Sequence, residues 1–158
     1  MKKLLLFIPL MLLSCGTIKT ITVQEPKETI IEYLDGTQAE LFVKANEWLV
    51  STFKDASSVI EFSDKESGAL IGKCLMFGAR DATFTIYGSV ENDNRVYAKI
   101  DIRVRDNRAK ISINPVSSWR YDPSGWTIYG YGADDFYNDA DRMIISFEDA
   151  MRKENIDF

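Results

Sequence analysis

The chain has 158 residues, 46% of them hydrophobic and 27% charged. That apolar content supports one packed domain and excludes disorder as the general state. Its 19 Lys and Arg against 24 Asp and Glu give a formal charge of −5, which argues against nucleic acid as a partner, because such binding rests largely on cation–phosphate contacts. There is no histidine, which excludes Ser-His-Asp and Cys-His catalysis, the commonest general base and the usual catalytic zinc sites.

Met1-Lys2-Lys3 is a short basic start, residues 4–13 are unbroken apolar sequence, and Ser14-Cys15 follows. This is the order of a secretory signal, and it is too short for the about 20 residues that span a bilayer as a helix. The segment Leu12-Leu13-Ser14-Cys15 resembles the lipobox of bacterial lipoproteins. The resemblance implies cleavage after Ser14, lipid on the Cys15 thiol, and a membrane partner reached through that lipid. Gly16 in place of aspartate points to the outer membrane of a bacterial envelope. Residues 1–14 are thus expected to be the signal peptide, and residues 15–28 the lipidated cysteine and a polar tether. A single domain is expected over 29–158. Cleavage leaves 17 basic against 24 acidic residues, a net charge of −7. Cys74 is then the one free thiol, and its apolar neighbours make it a small buried hydrophobe.

A first strand is expected over 29–34, and Asp35-Gly36 is a turn signal. Thr37 with Glu40 three residues on is a capping box. Leu41, Phe42, Ala45, Trp48, Leu49 and Phe53 then fall on one face of a helix over 38–55. Val59, Ile60 and Phe62 form a short strand, residues 63–68 a polar turn, and residues 69–77 a strand inside a sheet. A further strand is expected over 83–90, with residues 91–94 turning the chain.

The clearest hairpin follows. Val96, Ala98, Ile100, Ile102 and Val104 alternate with polar residues, as do Ala109, Ile111 and Ile113. A two-residue Asp106-Asn107 loop pairs Arg105 with Arg108 and puts every apolar residue on one face, where a one-residue slip would scatter them. A type I′ turn is expected there. Residues 116–132 read as an aromatic loop, and a last amphipathic helix is expected over 134–153. The fold class is α+β: one antiparallel sheet of about five or six strands with two helices on one face, in the order strand-helix-strands-helix.

The stretch Trp48 to Lys73 carries Trp48-Leu49, Thr52-Phe53-Lys54, Val59-Ile60, Asp64-Lys65-Glu66 with Gly68, and Ile71-Gly72-Lys73. With the later hairpin, it resembles a family of bacterial lipoproteins whose domain of unknown function has a TATA-box-binding-protein-like (TBP-like) fold. The resemblance covers about two-thirds of the mature chain. It implies the fold and brings no activity or site residues, and the fold's name does not imply DNA binding.

Residues 68–73 lack the spacing and the Ser/Thr of a phosphate loop, so Lys73 reads as a rim residue. Asp134, Asn138 and Asp141 share a helical face, but no cation-binding loop accompanies them. Glu61, Asp64 and Glu66, or the aspartates near 134–141, are the candidate carboxylate pairs of a glycan hydrolase. The main candidates for binding a partner are Trp119, Tyr121, Trp126, Tyr129 and Tyr131, since such rings are favoured in interface hot spots. Folding over the sheet to close the core is their other reading. Lys99, Arg103, Arg105, Arg108 and Lys110 on the outer hairpin face could meet an anionic partner, but a solvated strand face is their first reading. The expectation is a lipid-anchored, non-enzymatic binding or assembly module without a cofactor, its partner an envelope protein or small ligand and not nucleic acid. The alternative is a carboxylate-dependent envelope hydrolase.

Overall fold

The computed structural model describes residues 20–22, 25–53, 60–77, 80–85, 88–93, 95–122, 125–128 and 131–153; for 20–22, 80–85, 88–93, 118–122 and 125–128 it describes the backbone alone. In chain order these form β1 (Thr20–Thr22), β2 (Lys27–Glu32), α1 (Gln38–Thr52), β3 (Ile60–Asp64), β4 (Ala69–Phe77), β5 (Arg80–Thr85) and β6 (Gly88–Asp93). There follow β7 (Val96–Arg105), β8 (Arg108–Pro115), β9 (Ser118–Asp122), β10 (Gly125–Ile128), β11 (Tyr131–Gly132) and α2 (Ala133–Arg152). An antiparallel sheet runs β2-β8-β7-β4-β3, and both helices lie on its one buried face, as the alternation and the two apolar stripes require.

The core forms where period 2 meets period 3.6. Ile31, Leu70, Cys74, Ile100, Ile102, Ile111 and Ile113 come from the strands. Leu41, Ala45, Trp48 and Leu49 of α1 and Phe136, Ala140, Ile144, Phe147 and Met151 of α2 close over them. Trp48 meets Phe147 edge-on at 5.0 Å, and its indole N–H donates to Ser146 Oγ at 3.1 Å. The buried ring thus keeps its polar handle satisfied.

Helix α1 starts where the capping box predicts. The Thr37 N–H donates to Glu40 Oε2 at 2.8 Å, and the Glu40 N–H donates to Thr37 Oγ1 at 3.4 Å. The Thr37 N–H and then the Thr37 hydroxyl, which also donates to Glu40 Oε2 at 2.8 Å, hold the Glu40 carboxyl below its ordinary range. The β7–β8 tip adds a second cap: Asp106 Oδ1 accepts from the Gln38 N–H at 2.7 Å. The register is the expected one, Arg105 to Arg108 and Ile102 to Ile111. Of the two loop residues only Asn107 has positive φ, +62°, so the turn is not type I′, which needs two. The tip is shaped by its neighbours instead: the Asn107 N–H donates to Gly36 O and the Leu34 N–H to Asn107 O.

Two further expectations are corrected. Residues 83–90 are not one strand, since β5 and β6 pair as a hairpin with Thr85 opposite Gly88. Residues 116–132 are not a loop either. They supply β9, β10 and β11, which join β1 in a four-stranded antiparallel sheet. Short strands broken by Pro123 and glycines do not show the long alternation that marks β7. Strand β1 lies within the stretch read as tether, and β2 begins at Lys27.

Candidate functional site: the open face of the five-stranded sheet

With both helices on one face, the opposite face of the five-stranded sheet is covered by no other element among the described residues. Cross-strand register fixes who stands beside whom on it. One row runs Glu28, Ser112, Asp101, Ile71, Phe62; the next runs Ile30, Lys110, Arg103, Ala69, Asp64. Asn114, Lys99 and Lys73 make a third row, beside which Tyr97 faces Leu75. At the opposite end Glu32, Arg108 and Arg105 line up.

Six cations (Lys73, Lys99, Arg103, Arg105, Arg108 and Lys110) thus share this face with four acids, Glu28, Glu32, Asp64 and Asp101. Lys110 pairs with Glu28 at 2.9 Å, and Arg103 grips Asp101 through two bonds of 2.7 and 3.3 Å. That grip raises the Arg103 pKa above its ordinary value. Lys73 and Lys99 stand directly opposite each other, and among the described residues neither has a carboxylate within ion-pair range. Like charges so placed destabilise a sheet. Lys73 instead lies 4.6 Å from the centre of the Tyr97 ring, which Arg95 also approaches at 5.5 Å. The helical side has the opposite balance, for α2 carries Asp134, Asp135, Asp139, Asp141, Glu148 and Asp149 against Arg142 and Arg152.

The five candidate rings separate. Trp119 and Tyr121 are residues of β9 and Trp126 of β10; Tyr129 and Cys15 lie outside the described residues. Trp126 pairs with Tyr121, and Trp119 lies two residues from Tyr121, so the three positions share one face of the small sheet. Ile128 pairs with Tyr131, which puts Tyr131 on that same face. As a partner-binding ring Tyr131 is corrected: it is 6% exposed, stacks on Phe77 at 4.7 Å, and its hydroxyl donates to Asp139 at 2.5 Å. Burial, then the Asp139 bond, push its pKa well above the ordinary tyrosine range.

Three of the candidate carboxylates, Asp64, Asp139 and Asp141, are engaged by neighbours. Asp139 also pairs with Arg142, and Asp141 with Lys27 at 2.9 Å. Asp64 accepts from the Glu66 N–H at 3.0 Å, and hydrogen bonds from Ser67 and then from the turn backbone hold its pKa low. A general acid of a glycosidase needs a raised pKa. Among the described residues no group of three His, Cys, Asp or Glu could hold a metal ion, and no helix is long and apolar enough to cross a membrane.

Sequence reasoning named the hairpin cations and missed Tyr97, Leu75 and the role of Lys73. The alternation in β7 already placed Tyr97 outward, but nothing local set β4 beside β7 and so Lys73 beside Lys99.

No curated protein matches the chain. Two crystal structures are similar in fold. One is of a DUF4468 family protein from Bacteroides ovatus ATCC 8483, with TM-score 0.55 and 10% identity, covering 91% of this chain and 95% of that one. The other is of a TBP-like protein from Parabacteroides distasonis ATCC 8503, with TM-score 0.50 and 14% identity, covering 83% of this chain and 95% of that one. The family described as a domain of unknown function (DUF4468) with TBP-like fold matches residues 28–119, from the first strand of the large sheet through its last and into β9. The chain belongs to that family.

Proposed function

We propose that this protein is a lipid-anchored, non-enzymatic binding module of the bacterial envelope, held at the outer membrane through Cys15, and that its binding surface is the open face of the five-stranded sheet. The observation that carries the surface is the Lys73–Lys99 juxtaposition. It places two like charges, without a carboxylate partner among the described residues, on a face that no other described element covers, in an acidic protein, an arrangement that an anionic partner would relieve. Support for the anchor comes from the basic start, the apolar run and Ser14-Cys15. The competing reading is a carboxylate-dependent hydrolase. Of its candidates, Asp141, Asp139 and Asp64 are engaged by Lys27, Arg142 and a turn amide.

Fractionation tests the anchor. Cys15→Ser should leave the membrane fraction, because about 0.8 kcal/mol of membrane binding per buried CH₂ goes with the acyl chains. If that variant partitions as fully as wild type, lipid on Cys15 is not what holds the protein. Turnover of peptidoglycan by the purified protein, lost on substituting a single carboxylate, would favour the hydrolase.

A further inference from the structure

The row Asn114, Lys99, Lys73 has a fourth position. Strand β2 pairs with β8 through Lys27 opposite Ile113, so Pro26 comes in beside Asn114. Pro26 also borders the same shallow hollow on the outer face as Glu28, Ser112 and Asn114. The chain upstream of Pro26 therefore joins the sheet at the edge of the Lys99–Lys73 row, while the turns after β3 and β7 lie at the far end. Pro26 is the eleventh residue after Cys15, a reach of at most about 40 Å. A lipid on Cys15 thus limits how far this end of the sheet can stand from the membrane.

The surface there has the composition of an interfacial contact. Lys73 and Lys99 supply unbalanced positive charge, Tyr97 an amphipathic ring, and Leu75 an apolar side chain 50% exposed. Lysine stems and tyrosine rings suit the boundary between headgroups and water. The acidic helix α2 packs on the other side of the sheet, so turning that side to an anionic leaflet would bring carboxylates to it instead of cations.

We propose that this end of the open face docks on anionic phospholipid headgroups of the membrane that carries the anchor, with Lys73 and Lys99 as headgroup contacts. This rests on the anchored, sheet-face reading above and names the ligand of that face. Each lysine near an anionic leaflet favours the docked state about fivefold, so the pair favours it about thirtyfold over a neutral surface.

The test uses the purified lipidated chain reconstituted in phosphatidylcholine vesicles, with and without phosphatidylglycerol. Lysine acylation is then read residue by residue by mass spectrometry. Lys73 and Lys99 should react about tenfold or more slowly on the anionic vesicles, and high salt should erase the difference. Lys65, in the turn at the far end, should not change. Lys99→Gln, an exposed change that leaves the core intact, should return about fivefold of the lost reactivity to Lys73. Equal reactivity of Lys73 and Lys99 on the two vesicle types overturns the docking while leaving the anchor standing. A wild-type chain that fails to stay with either vesicle sinks the anchor instead. Protection of these lysines by a protein captured from envelopes, with none on anionic vesicles, would keep the sheet face as a binding surface and overturn lipid as its ligand.

Discussion

At the residue scale, two backbone positions have opposite requirements. Gly68 sits at φ +67°, where a Cβ would stand 2.4 Å from Val104 O, and its carbonyl accepts from the Val104 N–H at 2.8 Å. Tyr33 sits at φ +58° while 91% exposed. Gly68→Ala should therefore lower stability by about 1–3 kcal/mol, and Tyr33→Gly should leave it unchanged or raise it by up to about 1 kcal/mol. Denaturant unfolding of both variants checks the pair; equal effects would contradict the backbone reading. Cys74 is 2% exposed, and burial pushes its thiol from 9.0 up to about 11. A raised folded-state value means the contribution is full below the unfolded pKa and is lost as pH rises through the folded one. Stability should fall between pH 9 and 11, and Cys74→Ala should flatten that limb. An unchanged slope in the variant would assign the alkaline loss to other groups.

At the element scale, the first turn of α1 is held from two directions, by Thr37 within the helix and by Asp106 from the β7–β8 tip. Thr37→Ala should cost about 1 kcal/mol. Asp106→Ala should cost a similar amount, although it lies 68 residues from the amide it caps. A double-mutant cycle should show coupling of about 0.5 kcal/mol or more, since both caps order the same turn; strict additivity would argue against a shared role. Thr37–Glu40 was legible in the sequence because a capping box is local, and so was the register of β7 with β8, because one loop and one alternation fix it. The long-range cap by Asp106 was not legible, nor was the Lys73–Lys99 pairing, because both depend on elements brought together by the core. The small sheet was missed for a related reason: β1 and β9 are far apart in sequence, and each is too short to show its own period. Tyr131 was misplaced with them, since a ring in a Gly-rich stretch looks available until Phe77 and Asp139 close on it.

On the scale of the whole molecule, the fold sorts charge by face. The helices that bury one side of the sheet bring the acids of α2 to that side, while the paired strand positions described on the open side carry six cations and four acids. An acidic protein thereby presents a locally basic surface, and a tether to the membrane would set which way it points. Site-specific photo-crosslinking in intact envelopes tests this most directly. One probe replaces Lys99 on the open face, and another replaces Glu47 on the outer side of α1, both exposed positions. The account predicts adducts, to lipid or to another envelope component, from position 99 and few or none from position 47. Adducts mainly from position 47, with position 99 silent, would contradict the assignment of the open sheet face as the binding surface.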